Sequence, residues 1–452
     1  MHKVISSENV SSYQAFFQGL SSSGPMLNIF GLFPVIVAMA LGSSFIVIVI
    51  SIILGFLSVY TGYSFSKHIR SNGGYYSYVA KFMGKDLGMF TASVYFFYSI
   101  LAIPSVVLFL VYFTGYVFPE TLRAGLYGEV FLSLIFVSAI MAVFMSGFRQ
   151  TMRFIMILSG LEILVVMAFT VYVGLFFRSP SIDYAPASNV IGALPFGILA
   201  FAGIGSSIFL SENTRSWRRT VNRSILYSFL TLAFLMAVPA AVISYRMGTA
   251  MEIGYAADPL SIFQSFGMAG HILGMIMMII AMASAFNLAL GYLNAFRHAV
   301  SRMVSDHVIT DPGSIFSRNL WITVLLITLP PVVILEASVG SYTGFVMVTG
   351  TVGLAFLFVH AVTNSALVRL FGSTRDYWRA VIPIVSTLTF VFIIIQETIS
   401  GGMVRYSAYA VIFIVIFSVF AVATKKYLFA PSYRKMNFSD IPMEFNDEAS
   451  DS

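Results

Sequence analysis

The sequence predicts an all-α membrane protein of 12 transmembrane helices, built as two five-helix halves followed by two additional helices. Three observations lead there. Of the 452 residues, 58% are hydrophobic and only 10% are charged, against roughly 25% charged in a soluble domain. The apolar runs match or exceed the ~20 residues that cross a bilayer. Two of those runs, opening the two halves, are interrupted midway by small and helix-breaking residues. Backbone groups can lose their helical partners at membrane depth only where protein or a water-filled cavity satisfies them. Paired interruptions in matching positions therefore point to a transporter's binding site.

Residues 1–14 read as a cytoplasmic N-terminus, polar from Met1 to Val10 and without the features of a cleaved signal. A membrane domain at 15–425 follows. Span 1 is expected at 15–40, broken at Ser21-Ser22-Ser23-Gly24-Pro25, and span 2 at 43–66. Ser71 to Lys85, with Gly73-Gly74 and the cluster Tyr75, Tyr76 and Tyr78, is expected to lie along the inner face. Spans 3 (87–118), 4 (126–146) and 5 (152–177) complete a first repeat over about 15–177. The second repeat, about 190–367, opens with span 6 at 190–213, broken at Gly203-Ile204-Gly205-Ser206-Ser207. It continues with spans 7 (224–245), 8 (269–297), 9 (319–337) and 10 (341–367). Helices 11 and 12 occupy 379–397 and 406–424. The tail from about Ala430 to Ser452 is polar, ends on Glu444, Asp447, Glu448 and Asp451, and reads as a disordered cytoplasmic end.

Charge sets the expected orientation. With the N-terminus inside, the cytoplasmic side receives all of the 25 Lys and Arg except Arg123, Arg178, Arg246 and Arg405. The reversed topology inverts that bias, against the positive-inside rule. The protein is thus expected in the cell membrane with both termini cytoplasmic. Its net charge of +6 reads as a topology signal, so no nucleic-acid partner is expected. With no Cys, thiolate catalysis and Cys-based metal sites are excluded. His2, His68, His271, His298, His307 and His360 show no ligand spacing. Neither an enzyme's nucleophile–base pair nor a channel's filter loop is seen.

The residues of the two breaks suggest complementary chemistry. Pro25 suits the first position of a half-helix. Ser22, Ser23 and Gly24 would cap it, leaving N–H groups, Met26 among them, and a positive dipole end for a carboxylate. In span 6, Gly203 and Gly205 allow unwinding around Ile204, freeing carbonyls near Phe201 and Ala202 for an ammonium group or a sodium ion. Ser206 and Ser207 would cap the following half-helix. Glu162 stands near the middle of span 5, where an ionised carboxylate costs roughly 2.5–3.5 kcal/mol on insertion scales. It is expected either to bind and release a proton or to stay neutral on a helix-1 or helix-8 carbonyl. Ser284, Asn287, Gly291 and Asn294 share one face of span 8, expected to look into the bundle as a buried packing stripe. Tyr95, Tyr98 and Ser99 share a face of span 3. Tyr98 could cover a substrate, and Phe201 could act as an aromatic gate. Glu212 is expected to join Arg215, Arg218 and Arg219 in an inner-face ion-pair network, and His360 to be a hydrogen-bonded structural histidine.

Four stretches resemble the amino acid–polyamine–organocation superfamily of permeases over about residues 10–425. They are Asn72-Gly73-Gly74-Tyr75-Tyr76-Ser77-Tyr78 with Phe82-Met83-Gly84; Phe201-Ala202-Gly203-Ile204-Gly205 running to Glu212 and Arg218-Arg219-Thr220; Gly147 to Glu162; and Leu293-Asn294-Ala295 to Asp306. The resemblance implies the LeuT-type architecture, with inverted repeats of helices 1–5 and 6–10. It also implies that Glu162 occupies the place of a lysine thought to stand in for sodium in proton-coupled members. Ser284 would lie near the sodium site of sodium-coupled ones. The chain departs from the family in carrying Gly205 where many members have Glu, Ser-Gly-Pro where a Gly-Ser-Gly run is usual, and Arg297-His298 in place of Ser-Arg.

The expected function is import of amino acids, neutral ones because no charged partner stands near the breaks, by proton-coupled alternating access. Glu162 and Ser284 are the candidate ion-coupling residues. No cofactor beyond a coupling proton or sodium ion is expected, and the partners are an amino acid and the lipid bilayer. The alternatives are an amino acid/polyamine exchanger, a sodium-coupled permease of the same fold, or a permease-like nutrient sensor.

Overall fold

The computed structural model describes residues 9–117, 125–178, 183–264, 267–311, 315–316, 319–400 and 403–443. Lys3, Arg123, Arg318 and the acidic residues Glu444, Asp447, Glu448 and Asp451 lie outside them. The described residues contain twelve helical spans: Ser12–Ala40, Ser44–Phe65, Lys85–Gly115, Gly125–Met145, Phe148–Phe176, Ala187–Asn213, Trp217–Arg246, Gly267–Ser305, Leu320–Val339, Ser341–Ser373, Tyr377–Ile399 and Arg405–Tyr427. Each overlaps its expected position. Burial sorts them. The most apolar stretches of spans 1 and 6 are 89% buried, whereas those of spans 9, 11 and 12 are only 28% buried. A membrane helix hidden from lipid must be surrounded by protein, so the two broken spans form the centre of the bundle.

Span 1 begins at a capping box: the Ser11 hydroxyl accepts from the Gln14 N–H at 3.3 Å, and Gln14 Oε1 accepts from the Ser11 N–H at 2.9 Å. The first helix ends at Ser21, and Gly24 adopts φ 54°, a left-handed conformation that a side chain would resist. Pro25 restarts the helix at its first turn. Residues Asn28–Leu32 then form a π turn before Phe33–Ala40. The loosened Ile29 carbonyl accepts from the Tyr255 hydroxyl, which comes from the helix Gly248–Ala257 between spans 7 and 8.

In span 6, an α-helix over Ala187–Leu199 gives way to turns at 200–203 and then to a 3-10 helix over Ile204–Asn213. Such long 3-10 runs are uncommon, and this one is held at its far end. The Arg70 guanidinium donates to the carbonyls of Ser211, Glu212 and Thr214 at 3.0–3.3 Å. Asn72 and Glu212 exchange two hydrogen bonds, at 2.8 and 3.0 Å. Glu212 also pairs with Arg302 of span 8 at 3.2 Å, a cation that the expected network did not include. Tyr75–Met83 is a separate short helix before span 3.

The tail corrects an expectation. Residues 430–443 are folded, beginning with a helical turn over Ala430–Lys435. Phe438 and Ile441 are buried, Lys81 donates to the carbonyls of Ser439 and Ile441, and Ile69 pairs with Met443. The polar composition concealed three apolar anchors, Met436, Phe438 and Ile441, spaced to reach a hydrophobic face made by other elements.

Candidate functional site

The two breaks touch. A Cβ at Gly203 would overlap the Ser22 carbonyl, and one at Gly291 of span 8 would meet Ser22 Oγ at 2.6 Å. Two small residues thus let three chain segments meet. Across the contact the Ser22 hydroxyl donates to Ser206 Oγ at 2.9 Å, and the Ser206 hydroxyl donates to the Gln18 carbonyl at 3.0 Å. Ser206 was expected to cap the half-helix it lies in; instead it bridges to span 1, because the 3-10 turn points it there. Ser207 Oγ, the other expected cap, is buried without a partner.

Most N–H groups of the first break are engaged. Ser23 and Gly24 donate back to Leu20 and Ser21, and neither Ser22 nor Ser23 caps the new helix with its side chain. The Met26 N–H faces the Glu162 carboxyl, and the Leu27 N–H donates to Ser284 Oγ at 3.1 Å. Glu162 is buried and accepts two hydrogen bonds, from Ser284 Oγ at 2.6 Å and Asn287 Nδ2 at 2.7 Å. Two donors and a facing amide at a helix N-terminus suit a carboxylate. The protein's own carboxyl thus stands where the break was expected to receive a ligand's carboxylate.

The carbonyls of the second break are engaged too. Asn28 Nδ2 donates to Ser23 O at 2.8 Å and to Ala200 O at 3.2 Å, and the Tyr98 hydroxyl donates to Ala202 O at 3.4 Å. Tyr98 also meets the Tyr292 hydroxyl at 3.1 Å. The span 8 stripe faces spans 1 and 5, as its spacing implied. Asn287 also reaches Ser159, Gly291 O accepts from Gln18 Nε2, and Asn294 donates to Gln18 Oε1.

Two cavities flank this junction. The larger has Ser22, Ser23, Asn28, Ser105, Tyr292 and Thr349 as its polar lining, with Leu27, Leu199, Phe345 and Val352 among its apolar walls. No charged side chain lines it. The smaller is lined by Tyr75, Phe201, Ala202, Gly205 and His360 among others. His360 Nδ1 donates to the Phe356 carbonyl at 2.9 Å, and a Cβ at Gly205 would run into the Tyr75 hydroxyl.

The expected site residues therefore divide. Ser22 and Ser23 line the larger cavity; Phe201, Ala202 and Gly205 line the smaller one. Phe201, the expected aromatic gate, packs at 5.7 Å from the Phe229 ring and against Gly55 and does not line the larger cavity. Tyr98 does not line it either, but bonds to Tyr292, which does. Gly24, Pro25, Met26, Gly203, Ile204 and Ser206 build the junction rather than a cavity wall. Asn28 escaped the sequence reading, although a lone carboxamide three residues after Pro25 in an apolar half-span was a visible signal. Ser105, Tyr292 and Thr349 carried none, because which face of a long apolar helix looks inward depends on its neighbours.

Outside the spans, Glu252 of the Gly248–Ala257 helix is fully buried with both carboxylate oxygens unbonded. Burial, with Asp183 nearby, pushes its carboxyl up to about 7. A cluster able to hold a metal ion is not found among the described residues.

The sequence model described as amino acid permease matches residues 14–433. No curated protein matches the chain.

Proposed function

The chain belongs to the amino acid permease family of the amino acid–polyamine–organocation superfamily, and from that membership we propose that it imports neutral amino acids by proton-coupled alternating access. Membership makes it a multi-pass membrane transporter of amino acids, and not an enzyme. The finer reading puts it in the cell membrane with both termini cytoplasmic, as the Lys and Arg distribution requires. The observation that carries it is the junction of two broken, buried spans beside a cavity lined by Ser22, Ser23 and Asn28. Its lining mixes polar and apolar residues and holds no charged side chain, which favours an uncharged substrate side chain.

Glu162 supplies the coupling. The N-terminus of the Pro25 half-helix can stabilise one carboxylate well, and with Glu162 ionised that place is taken. Protonation of Glu162 removes its charge and releases the Met26 N–H to the substrate carboxylate, so proton and amino acid bind together.

Reconstitution into liposomes with an imposed pH gradient tests this. Glu162→Gln is expected to abolish accumulation while leaving substrate exchange measurable. Full proton-driven accumulation by that variant would remove Glu162 from the coupling. A thermal-shift screen of the purified protein against the common amino acids and several polyamines tests the substrate class. Stabilisation by polyamines alone would remove the carboxylate role of the first break.

A further inference from the structure

Asn28 touches both breaks and the larger cavity at once. Its carboxamide faces the carbonyls of Ser23 and Ala200. Both are acceptors, so the atom turned toward them must be the NH2 group. Oδ1 is then the polar atom that Asn28 has left, and no hydrogen bond engages it among the described residues. It is also not among the buried, sealed-off polar atoms, while Asn28 lines the cavity. Asn28 is the first residue of the π turn Asn28–Leu32, a distortion frequent at functional sites.

We propose that Asn28 is the residue that selects for a substrate α-amine: Oδ1 accepts from the ammonium group while Nδ2 clamps the two breaks together. The inference rests on the reading that the larger cavity receives an amino acid. The reasoning is one of available acceptors. With no charged side chain in the lining, the ammonium must be met by neutral oxygens. The Ser105 and Thr349 hydroxyls are bonded to each other at 2.6 Å, Tyr292 to Tyr98 at 3.1 Å, Ser22 to Ser206 at 2.9 Å, and Ser23 to the Gly19 carbonyl at 3.2 Å. These hydroxyls keep acceptor lone pairs, but the carboxamide oxygen is the side-chain oxygen of the lining that no hydrogen bond engages among the described residues. Asn28 also lies two residues from Met26, whose N–H is the proposed carboxylate donor. The two ends of an α-amino acid head group thus find partners within one turn of the same half-helix.

The test compares two ligands on the purified protein: the common amino acid that binds wild type most tightly, and the desamino carboxylic acid with the same side chain. Wild type is expected to prefer the amino acid. Asn28→Ala is expected to cut that preference by about tenfold or more, the scale of a lost hydrogen bond to a charged group. Asn28→Asp keeps an acceptor and loses the clamp, so it is expected to retain the preference while its melting temperature falls. If Asn28→Ala does not fold, Asn28→Leu fills the same space without the acceptor and takes its place. Weakening of both ligands by the same factor would show a purely structural Asn28 and overturn the proposal. If no amino acid binds wild type, the underlying reading of the cavity fails before any variant is made, and this inference fails with it.

Discussion

At the first break the chain restarts as a helix, so its amide N–H groups point into the bundle toward acceptors: Ser284 accepts from Leu27, and Glu162 faces Met26. At the second break the chain tightens into a 3-10 turn, and the groups left over are the carbonyls of Ala200 and Ala202. These collect donors, Asn28 Nδ2 and the Tyr98 hydroxyl. The contrast follows from direction. One break is read at the N-terminal end of its outgoing half-helix and the other at the C-terminal end of its incoming one, where unpaired groups have opposite polarity. The protein has filled both ends with its own side chains. On the proposed reading, a substrate carboxylate takes the place of Glu162 at the first break, while its ammonium is met by Asn28 Oδ1 and Nδ2 keeps its bonds to Ser23 and Ala200.

If the two breaks work as one site, forcing them apart is expected to have the largest effect. Gly203→Ala places a methyl on the Ser22 carbonyl, a backbone atom that cannot swing aside. Uptake in liposomes is expected to fall to background, with a lower melting temperature. Gly205→Ala meets only the end of the Tyr75 side chain and is expected to keep most of its activity. Equal uptake by the two variants would break the argument that the contact itself matters.

A second asymmetry concerns what holds each break from outside. The first has Tyr255 on its π turn, and the helix bearing Tyr255 also bears Glu252. A carboxyl raised from 4.5 to about 7 contributes to the stability of that docked helix below the lower value. The contribution is lost as pH climbs through the upper one, because the ionised form has no partner in its buried site. Wild type is thus expected to lose thermal stability as pH rises from 4.5 to 7, and Glu252→Gln to flatten that dependence. Parallel melting curves for the two proteins across this range would refute it. The smallest effect is expected from Ser206→Ala, which removes one bridge between the breaks and is expected to cost about 1 kcal/mol. Denaturation of the purified protein by heat or detergent measures it.

The spans were legible because lipid enforces a simple rule: about twenty apolar residues, with backbone bonds closed within the helix. The breaks were legible for the same reason, since Gly24-Pro25 and Gly203 violate that rule. Glu162 stood out because carboxyls are rare at that depth. Less legible was the state of the breaks. Capping by Ser22, Ser23, Ser206 and Ser207 was a reasonable local expectation, yet Ser206 turned to the Gln18 carbonyl and Ser23 to the carbonyl of Gly19. The folded stretch 430–443 was hidden because three scattered apolar residues acquire meaning only against the face that receives them.

By itself, then, the sequence determined the span count, the paired interruptions and the rarity of Glu162, because each depends on local composition and on the bilayer as solvent. Tertiary structure alone decided that the breaks touch, that Glu162 lands on Ser284 and Asn287 of span 8, and that Asn28 joins Ser23 to Ala200. Those outcomes depend on which groups distant helices bring within about 3 Å of a freed N–H or carbonyl. A chain pattern cannot state that distance until the helices have packed.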